Sequence, residues 1–501
     1  MNLTMLLEMA TMGFGDRVAV KSGAIGLSYS QLFEAAGAAA RKIAASGCER
    51  VALLDVSSLA VPVGLFASAW AGVPFVPLSY RLTQSEIARL VKEIAPSYLV
   101  TDADRADSLS KLPGTTVVTR ERFLEEALSG SAGDLAWPMD PEQIAILLFT
   151  SGTTGPPKAA LLRHRHLVSY VLGSVEFASA AEEDAVLVSV PPYHVAGMAA
   201  IASSVYAGRR IVQLASFSAE AWLELARSER VTHAFLVPTM LARIVDALSD
   251  AESAGLPHLR ALSYGGGKMP QPVIARAMKL LPDTDFTNAY GLTETSSTIS
   301  LLGPAEHRAA AASGDPEIRR RLTSVGRPLP NLEVQVRDEA GRPLAPGQRG
   351  EIYVRGEQVS GEYLGRGSSV DADGWFPTRD SGSMDGEGYL FLEGRADDII
   401  VRGGENMSPG EIEEVLLEHE AVADAAVVGI PDPEWGEAVA AAVVIKPGRS
   451  VSAEEIRNWV KGRLRSSRAP QRIEFRDELP YSELGKLMRR KLRADLLGDG
   501  T

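Results

Sequence analysis

The residues between Ile146 and Lys158 carry the clearest chemistry in this sequence. They read ILLFTSGTTGPPK, an apolar run that ends in hydroxyl and glycine residues, two prolines and a lysine. Backbone N–H groups at the glycines, together with the hydroxyls, would surround phosphate oxygens, and Lys158 would add a positive charge. We predict an anion-binding loop after a buried strand, at the sheet edge where open α/β folds place ligands. Taken alone, a loop this short also fits a flexible turn.

The spacing of this loop excludes one common type of nucleotide site. A P-loop requires the pattern G-x-x-x-x-G-K-[ST]. Here two prolines separate Gly155 from Lys158, and Ala159 follows the lysine. The sequence therefore predicts a phosphate loop that does not belong to a P-loop NTPase.

Four further motifs follow this loop in order. They are NAYGLTET (288–295), GWFPTRD (374–380), GRADDIIVRGGENMSPGEIE (394–413) and LGKLMRRKL (484–492). Together with TSGTTGPPK they resemble the adenylate-forming superfamily, which contains acyl-CoA synthetases, luciferases and peptide-synthetase adenylation domains. The resemblance covers about residues 10–495 and favours the acid–CoA ligase branch. It implies that a carboxylate joins the α-phosphate of ATP, that pyrophosphate leaves, and that the acyl group then passes to coenzyme A.

The composition sets broad limits on function. The chain has 501 residues, a net charge of −13 and one cysteine, Cys48. A negative chain argues against nucleic acid as the main partner, since phosphate binding needs clustered Lys and Arg. A single cysteine forms no disulfide within the chain, which fits a cytoplasmic protein. We expect no signal peptide and no transmembrane segment; residues 62–80 are apolar, but prolines and glycines divide them into a predicted buried helix and a strand.

The elements that must position these motifs alternate between helix and strand over the first three hundred residues. This alternation predicts an α/β fold with helix-covered parallel sheets. From about residue 324 to 392, short strands and Gly/Pro turns predict a small β-barrel subdomain. We therefore expect an N-terminal domain at 1–393, a joint at 394–398 and an α+β C-terminal domain at 399–501. The resemblance implies that the first is the adenylation domain, that the joint is a hinge and that the C-terminal domain is mobile. Ser408 with Glu411, and Ser452 with Glu455, predict two capped helices in the last domain.

The resemblance implies a role for each motif residue. Lys486 would reach the carboxylate and the α-phosphate, where a flexible ammonium suits developing charge. Thr293 would contact the α-phosphate, Glu294 would hold Mg²⁺, and His194 would act as a gate towards the thiol. The predicted catalytic residues are therefore Lys486, Thr293, Glu294 and His194, with Glu294 as the metal ligand.

The resemblance also implies a nucleotide site. The loop would bind the β- and γ-phosphates, Tyr290 would stack on adenine, Asn288 would read its amino edge, and Asp380 with Arg395 would hold the ribose. The full predicted ATP/AMP site is Thr150, Ser151, Gly152, Thr153, Thr154, Gly155, Lys158, Gly265, Gly266, Gly267, Asn288, Ala289, Tyr290, Gly291, Asp380 and Arg395.

The second half-reaction involves a further group of residues. Asp397 would be the hinge about which the small domain turns, and Gly404 would line the coenzyme A tunnel. The predicted acyl pocket is Tyr193, Val195, Gly197, Met198, Pro238 and Thr298. These residues are small or apolar and fit a medium, bulky or aromatic acid, without selecting one.

Four residues depart from the family pattern. Arg379 and Ala159 stand where glycine is usual, and Gly267–Lys268 stand where Ala-Pro is frequent. These departures leave open a non-catalytic adenylate-binding relative. Among enzymes, the alternative is an acid–AMP ligase that loads a separate carrier protein. The expected partners are a small carboxylic acid, ATP with Mg²⁺, and coenzyme A. The sequence does not decide whether the chain forms a homodimer.

Overall fold

The computed structural model describes residues 1–150, 158–267, 269–395, 398–402, 405–482 and 487–498, without the side chain of residue 406. Contacts divide the chain into two units. The first comprises Met1–Leu322, Pro328–Glu333 and Arg355–Phe376, and the second comprises Thr323–Arg327, Val334–Val354 and Pro377–Thr501. Most residues of the predicted barrel thus fall in the same unit as the C-terminal residues. The boundaries at 393 and 398 stay predictions.

The helices within the described residues alternate with strands over the first three hundred residues, as predicted. They are α1 Leu3–Phe14, α2 Tyr29–Ser46, α3 Ala60–Ala71, α4 Gln84–Glu93, α5 Ala103–Leu109, α6 Arg120–Ser129, α7 His164–Ser174, α8 Val195–Ala207, α9 Ala219–Ser228, α10 Pro238–Ala247, α11 Gln271–Leu280, α12 Pro304–Ala312, α13 Pro316–Arg320, α14 Pro409–Leu417, α15 Ala453–Lys461 and α16 Arg489–Leu497.

The strands are short. They are β1 Val18–Ser22, β2 Ile25–Ser28, β3 Arg50–Leu54, β4 Phe75–Pro77, β5 Ser97–Thr101, β6 Thr115–Thr119, β7 Ile144–Thr150, β8 Lys158–Arg163, β9 Ala185–Val188, β10 Arg210–Gln213, β11 His233–Leu236, β12 Ala261–Gly265, β13 Asp285–Leu292, β14 Ser297–Leu302, β15 Arg327–Pro328, β16 Glu333–Arg337, β17 Arg349–Arg355, β18 Glu362–Tyr363, β19 Gly367–Ser368, β20 Phe376–Met384, β21 Leu390–Arg395, β22 Ile400–Arg402, β23 Glu405–Met407, β24 Val422–Asp432, β25 Gly436–Ile445 and β26 Arg472–Arg476.

Two mixed sheets dominate the first unit. One has the order β15-β14-β13-β12-β11-β9-β10-β1-β2, and its pairs from β13 to β1 are parallel. The other has the order β19-β18-β8-β7-β4-β3-β5-β6, with parallel pairs from β7 to β6. Antiparallel strands lie at the margins. The predicted helix-covered parallel sheets are confirmed, and the carboxyl ends of neighbouring parallel strands meet at one edge.

The second unit contains smaller, largely antiparallel sheets. The strands β16, β17, β20 and β21 form one sheet in that order. A second sheet has the order β23-β22-β25-β24, and β26 pairs with β25. Helices α14 and α15 pack on this second sheet through apolar residues such as Ile412, Leu416 and Ile456, which form a core of their own. The chain is thus a mixed α/β protein with a smaller α+β part at its end, as predicted.

Local signals predicted several elements correctly. Ser28 caps α2, and Ser452 with Glu455 forms the predicted capping box of α15. The apolar residues 62–80 contribute to the buried helix α3 and form strand β4, as predicted. Among the described residues, no helix combines the length and apolar character needed to cross a membrane.

One local prediction was wrong. Helix α14 begins at Pro409, but Ser408 does not cap it through its side chain. The Ser408 hydroxyl instead donates to the carbonyl oxygen of Glu393 at 2.6 Å. The sequence over 307–321 indicates a helical excursion on the surface, and these residues form most of α12 and all of α13, largely exposed. His307 is an exception: it is buried, and its Nε2 lies 2.8 Å from the Tyr264 hydroxyl.

Candidate active site

The predicted phosphate loop connects two antiparallel strands. Strands β7 and β8 form a hairpin in which Thr150 pairs with Lys158. The Thr150 hydroxyl donates to the carbonyl oxygen of Lys158 at 3.3 Å. The loop residues predicted to bind phosphate, Ser151, Gly152, Thr153, Thr154 and Gly155, lie outside the described residues. Ala159 is buried as a regular strand residue opposite Phe149, so its methyl group fits this position.

The predicted adenine-side residues lie on two adjacent parallel strands. Tyr264 of β12 pairs with Asn288 of β13, and Gly265 pairs with Ala289. A Cβ atom on Gly265 would lie 2.1 Å from the carbonyl oxygen of Ala289, so only glycine permits this approach. At the ends of β12 and β13, the backbone of Gly265 therefore lies directly against the backbone of Ala289, with no side chain of Gly265 between them.

The turn after β13 depends on a second close approach. A Cβ atom on Gly291 would lie 1.6 Å from the carbonyl oxygen of Ser297 in the antiparallel β14. Residues Thr293–Thr295 then form a short 3₁₀ helix, and Ser296 follows with a φ of 56°. Tyr290 is buried, and Asn288 and Glu294 are half-buried. The tight turn therefore fixes the backbone position of Glu294.

Glu294 has partners that the sequence motifs did not indicate. Its carboxylate Oε1 accepts a hydrogen bond from the Tyr363 hydroxyl at 2.6 Å. Its carbonyl oxygen accepts hydrogen bonds from the backbone of Ser360 at 2.8 Å and Gly361 at 3.3 Å. The buried Gln358 donates through Nε2 to the carbonyl oxygens of Thr295 and Thr298. Motif spacing does not reveal these contacts, since the partners lie more than fifty residues apart.

The predicted acyl-pocket residues lie at the carboxyl edge of the nine-stranded sheet. Tyr193 follows β9, Pro238 follows β11, and Gly266 and Gly267 follow β12. Gly266 has a φ of +80° and lies beside Val237. A Cβ atom on Gly267 would lie 3.7 Å from Pro238, which is ordinary van der Waals contact. Thr298, Met198 and Gly197 belong to β14 and α8, and Val195 is the first residue of α8.

Aromatic rings surround the predicted gate. Tyr193 packs edge-on against Tyr80, with ring centroids 5.5 Å apart, and lies 4.5 Å from the ring of His194. His194 precedes α8, and its Nε2 is buried without a hydrogen-bond partner among the described residues. Burial, with a smaller contribution from the charge of Arg81, lowers the pKa of His194 to about 3. The imidazole is therefore neutral at physiological pH.

The predicted ribose ligand lies in the second unit. Arg395 Nη1 donates to Asp380 Oδ1 at 2.9 Å and to the carbonyl oxygen of Thr378 at 3.2 Å. Asp380 and Arg395 face each other across strands β20 and β21. Arg379 has a φ of +63°, a conformation that favours glycine, which explains why glycine is usual there. Its exposed side chain lies 3.9 Å from Glu351, measured between Nε and Oε1.

Three predicted residues cannot be placed. Lys486, Asp397 and Gly404 lie outside the described residues, so their roles stay predictions. Asp398, next to the predicted hinge, pairs with Arg489 at 3.9 Å. His164 and His166, which follow the predicted loop in the sequence, are buried at the start of α7.

Comparison with known proteins identifies the family of this chain. The model of the AMP-binding enzyme family matches residues 7–364, and the model of the AMP-binding enzyme C-terminal domain matches residues 411–486. The chain belongs to the AMP-binding enzymes. The predicted resemblance to the adenylate-forming superfamily is thereby confirmed, on its acyl-CoA synthetase branch.

Individual relatives cover almost the whole chain. A feruloyl-CoA synthase from Amycolatopsis sp is 31% identical over 482 residues, which are 95% of each chain. A fatty acid–[acyl-carrier-protein] ligase, ScoC, from Streptomyces coeruleorubidus is 32% identical over 94% of this chain and 92% of its own. The structure of o-succinylbenzoate CoA synthetase (MenE) from Bacillus subtilis with its acyl-adenylate intermediate aligns with a TM-score of 0.84, 28% identity and 97% of each chain.

Proposed function

We propose that this protein is an ATP-dependent acid–CoA ligase that activates an aromatic carboxylic acid as acyl-AMP and transfers the acyl group to coenzyme A. One observation carries the proposal. The carboxyl ends of β9, β11, β12 and β13 bring the predicted gate, acyl-pocket and adenine-side residues to one edge of a parallel sheet. Open α/β sheets bind ligands at this edge.

The first half-reaction is nucleophilic substitution at phosphorus. A carboxylate oxygen of the acid bonds to the α-phosphorus of ATP, and the bond to the pyrophosphate oxygen breaks. Both reactants are anions, so catalysis depends on positioning and on cancelling charge. We assign this work to Lys486 at the carboxylate and α-phosphate, to Thr293 at the α-phosphate, and to Lys158 with the residues 150–155 at the leaving pyrophosphate.

The adenosine is held by backbone and by two charged side chains. The glycines at 265 and 291 let the backbone of Ala289 and Ser297 approach closely, which fixes the strands that carry the predicted adenine-side residues. We assign adenine to Gly265–Gly267 and Asn288–Gly291, with Tyr290 stacking on the ring. We assign the ribose hydroxyls to Asp380, whose carboxylate Arg395 holds at 2.9 Å.

The donor set around Glu294 fits Mg²⁺. This hard ion prefers carboxylate oxygens and is commonly held by one or two carboxylates together with substrate phosphates. Glu294 offers a half-buried carboxylate whose Oε1 is oriented by the Tyr363 hydroxyl. When bound, Mg²⁺ neutralises phosphate charge. The contribution of this chain is the oriented carboxylate of Glu294.

The second half-reaction forms the thioester. The thiol sulfur bonds to the acyl carbon, the acyl–oxygen bond breaks, and AMP leaves. His194 is neutral at pH 7, so the gate adds no charge between the acyl group and the thiol. We propose that Asp397 is the hinge between the half-reactions, between a domain at 1–393 and one at 399–501, and that Gly404 lines the path of the thiol.

The pocket supports an aromatic acid. Tyr80, Tyr193 and His194 form a continuous cluster of rings, and such rings attract a further ring edge-on or offset. The glycine at 267 leaves space beside Pro238. A feruloyl-CoA synthase and an o-succinylbenzoate CoA synthetase are among the proteins similar to this chain.

A panel of acids tests the substrate class. Arylacetic, cinnamic and benzoic acids are compared with straight-chain acids of six to twelve carbons, each with ATP, Mg²⁺ and coenzyme A. We expect at least one aromatic acid to exceed every straight-chain acid in kcat/KM by about tenfold or more, since filling an apolar pocket changes binding by about 1–3 kcal/mol. Thioester is measured by mass spectrometry. A consistent preference for straight-chain acids would contradict the aromatic assignment.

A carrier protein is the second candidate acceptor, because ScoC, which is 32% identical to this chain, is named for one. Incubation with free coenzyme A or with a phosphopantetheinylated carrier separates the two acceptors. We expect coenzyme A to be acylated faster. ATP and coenzyme A are abundant in the cytoplasm, where we place the reaction; cell fractionation with tagged protein tests the compartment.

A further inference from the structure

The chain between β17 and β18 holds the segment that contains Glu294. Backbone groups of Ser360 and Gly361 donate to its carbonyl oxygen, and Gln358 donates to the next turn. The Ser296 hydroxyl returns a hydrogen bond to the carbonyl oxygen of Gln358 at 2.9 Å. These contacts fix the main chain around Glu294 but leave its side chain free to rotate. The carboxylate therefore needs its own restraint.

Tyr363 supplies that restraint and also contacts the phosphate loop. Its hydroxyl donates to Glu294 Oε1 at 2.6 Å, a short hydrogen bond to a charged acceptor. Its ring centroid lies 5.6 Å from the ammonium nitrogen of Lys158, within the range of a cation–π interaction. One side chain thus connects the predicted metal ligand with the predicted pyrophosphate ligand.

Two contacts with strand β8 fix the position of Tyr363. Strand β18 pairs with β8, and Tyr363 lies opposite Ala160. The preceding residue, Glu362, forms a two-pronged ion pair with Arg163, with distances of 3.0 Å from Nε to Oε1 and 2.6 Å from Nη2 to Oε2. Such a planar pair restricts geometry as well as adding energy. The tyrosine is therefore attached to the strand that begins at Lys158.

We propose that Tyr363 is a positioning residue for adenylation. Its hydroxyl orients the Glu294 carboxylate so that the second oxygen is available to Mg²⁺, and its ring supports the Lys158 ammonium beside the pyrophosphate. The inference rests on the proposed function, because it needs Mg·ATP as the ligand. A group that orients a metal ligand without touching the metal commonly affects metal affinity about 10-fold or more.

Two variants separate the roles of the hydroxyl and the ring. Tyr363→Phe keeps the ring and removes the hydroxyl, whereas Tyr363→Leu removes both. Tyr389→Phe is the matched control, because it removes a tyrosine hydroxyl that accepts from Arg327 at 3.1 Å in the other unit. Binding of Mn²⁺ in the presence of a non-hydrolysable ATP analogue is measured by the paramagnetic resonance of free Mn²⁺. Melting temperatures report folding.

We expect Tyr363→Phe to weaken Mn²⁺ binding about 10-fold, with the melting temperature and the KM for the acid unchanged. Tyr363→Leu should in addition raise the KM for ATP, and Tyr389→Phe should match the wild type. Wild-type Mn²⁺ affinity in Tyr363→Phe would overturn the proposal, as would an equal loss in Tyr389→Phe. Absence of acid-dependent pyrophosphate release from the wild type would instead contradict the proposed function, and the Mn²⁺ measurement would still test Tyr363.

Discussion

At the scale of single residues, two glycines of the predicted nucleotide site differ in what surrounds them. A Cβ atom on Gly291 would meet the carbonyl oxygen of Ser297 at 1.6 Å, whereas one on Gly267 would meet Pro238 at 3.7 Å. Backbone cannot move aside as a flexible side chain can. We infer that the turn before Glu294 requires glycine at 291, whereas the backbone tolerates a methyl group at 267, which would mainly reduce the space beside Pro238.

Alanine at each of these two glycines should therefore have different effects on activity. Gly291→Ala should lower kcat/KM for ATP at least about 100-fold, because it displaces Thr293 and Glu294 by an ångström or more. Gly267→Ala should retain kcat/KM for ATP within a few-fold and select against the bulkiest acids. Acid-dependent pyrophosphate release and melting temperature are measured for both. Equal tolerance of alanine at both positions would contradict the assigned geometry.

At the scale of elements, the sequence predicted those helices and strands that residues close together in the chain determine. The capped helices α2 and α15, the parallel strands and the buried strand β7 before the predicted phosphate loop follow from periodicity, caps and turns. Tyr363 escaped prediction because its hydrogen bond to Glu294 spans 69 residues. The predicted cap at Ser408 failed for the same kind of reason, since its hydroxyl has a distant partner in Glu393. Tertiary contacts override local patterns where they supply a better hydrogen bond.

The start of α7 gives a pH prediction. Burial lowers the pKa of His164 to about 4 and that of His166 to about 3, and each accepts a backbone hydrogen bond through Nδ1, from Leu3 and Arg163 respectively. In the unfolded chain the two histidines have the ordinary pKa of about 6.5. As the pH falls, they therefore bind protons in the unfolded state before they do so in the folded state. Stability should therefore be fully present above pH 6.5 and fall towards pH 3–4, by up to about 1.4 kcal/mol per pH unit for each histidine.

Urea unfolding between pH 8 and 5 measures this loss. As the pH decreases below 6.5, we expect the urea concentration at the unfolding midpoint to decrease in the wild type. It should decrease less steeply in His166→Gln, because glutamine keeps a hydrogen-bond acceptor but does not titrate. An equal slope in the two proteins would show that His166 does not contribute. Carboxylates that change ionisation affect both proteins alike, so the difference isolates the histidine.

At the scale of the whole molecule, motif order predicted the family and the fold class. The five motifs are spread over nearly 350 residues. They can form one active site only if the fold brings their residues close together. The structure places the predicted gate, acyl-pocket and adenine-side residues at one edge of the nine-stranded sheet. It also pairs Asp380 with Arg395 within the second unit. The roles of Lys486, Asp397 and Gly404 stay predictions, because those residues lie outside the described part of the chain.

The central claim is that the acid is activated as an acyl-adenylate before it forms a thioester. An acid that carries ¹⁸O in both carboxylate oxygens tests this directly. One labelled oxygen bonds to the α-phosphorus and stays there when the thiol attacks the acyl carbon. We therefore predict AMP with one ¹⁸O, together with unlabelled pyrophosphate, by mass spectrometry. Unlabelled AMP, or label in inorganic phosphate beside ADP, would contradict the account.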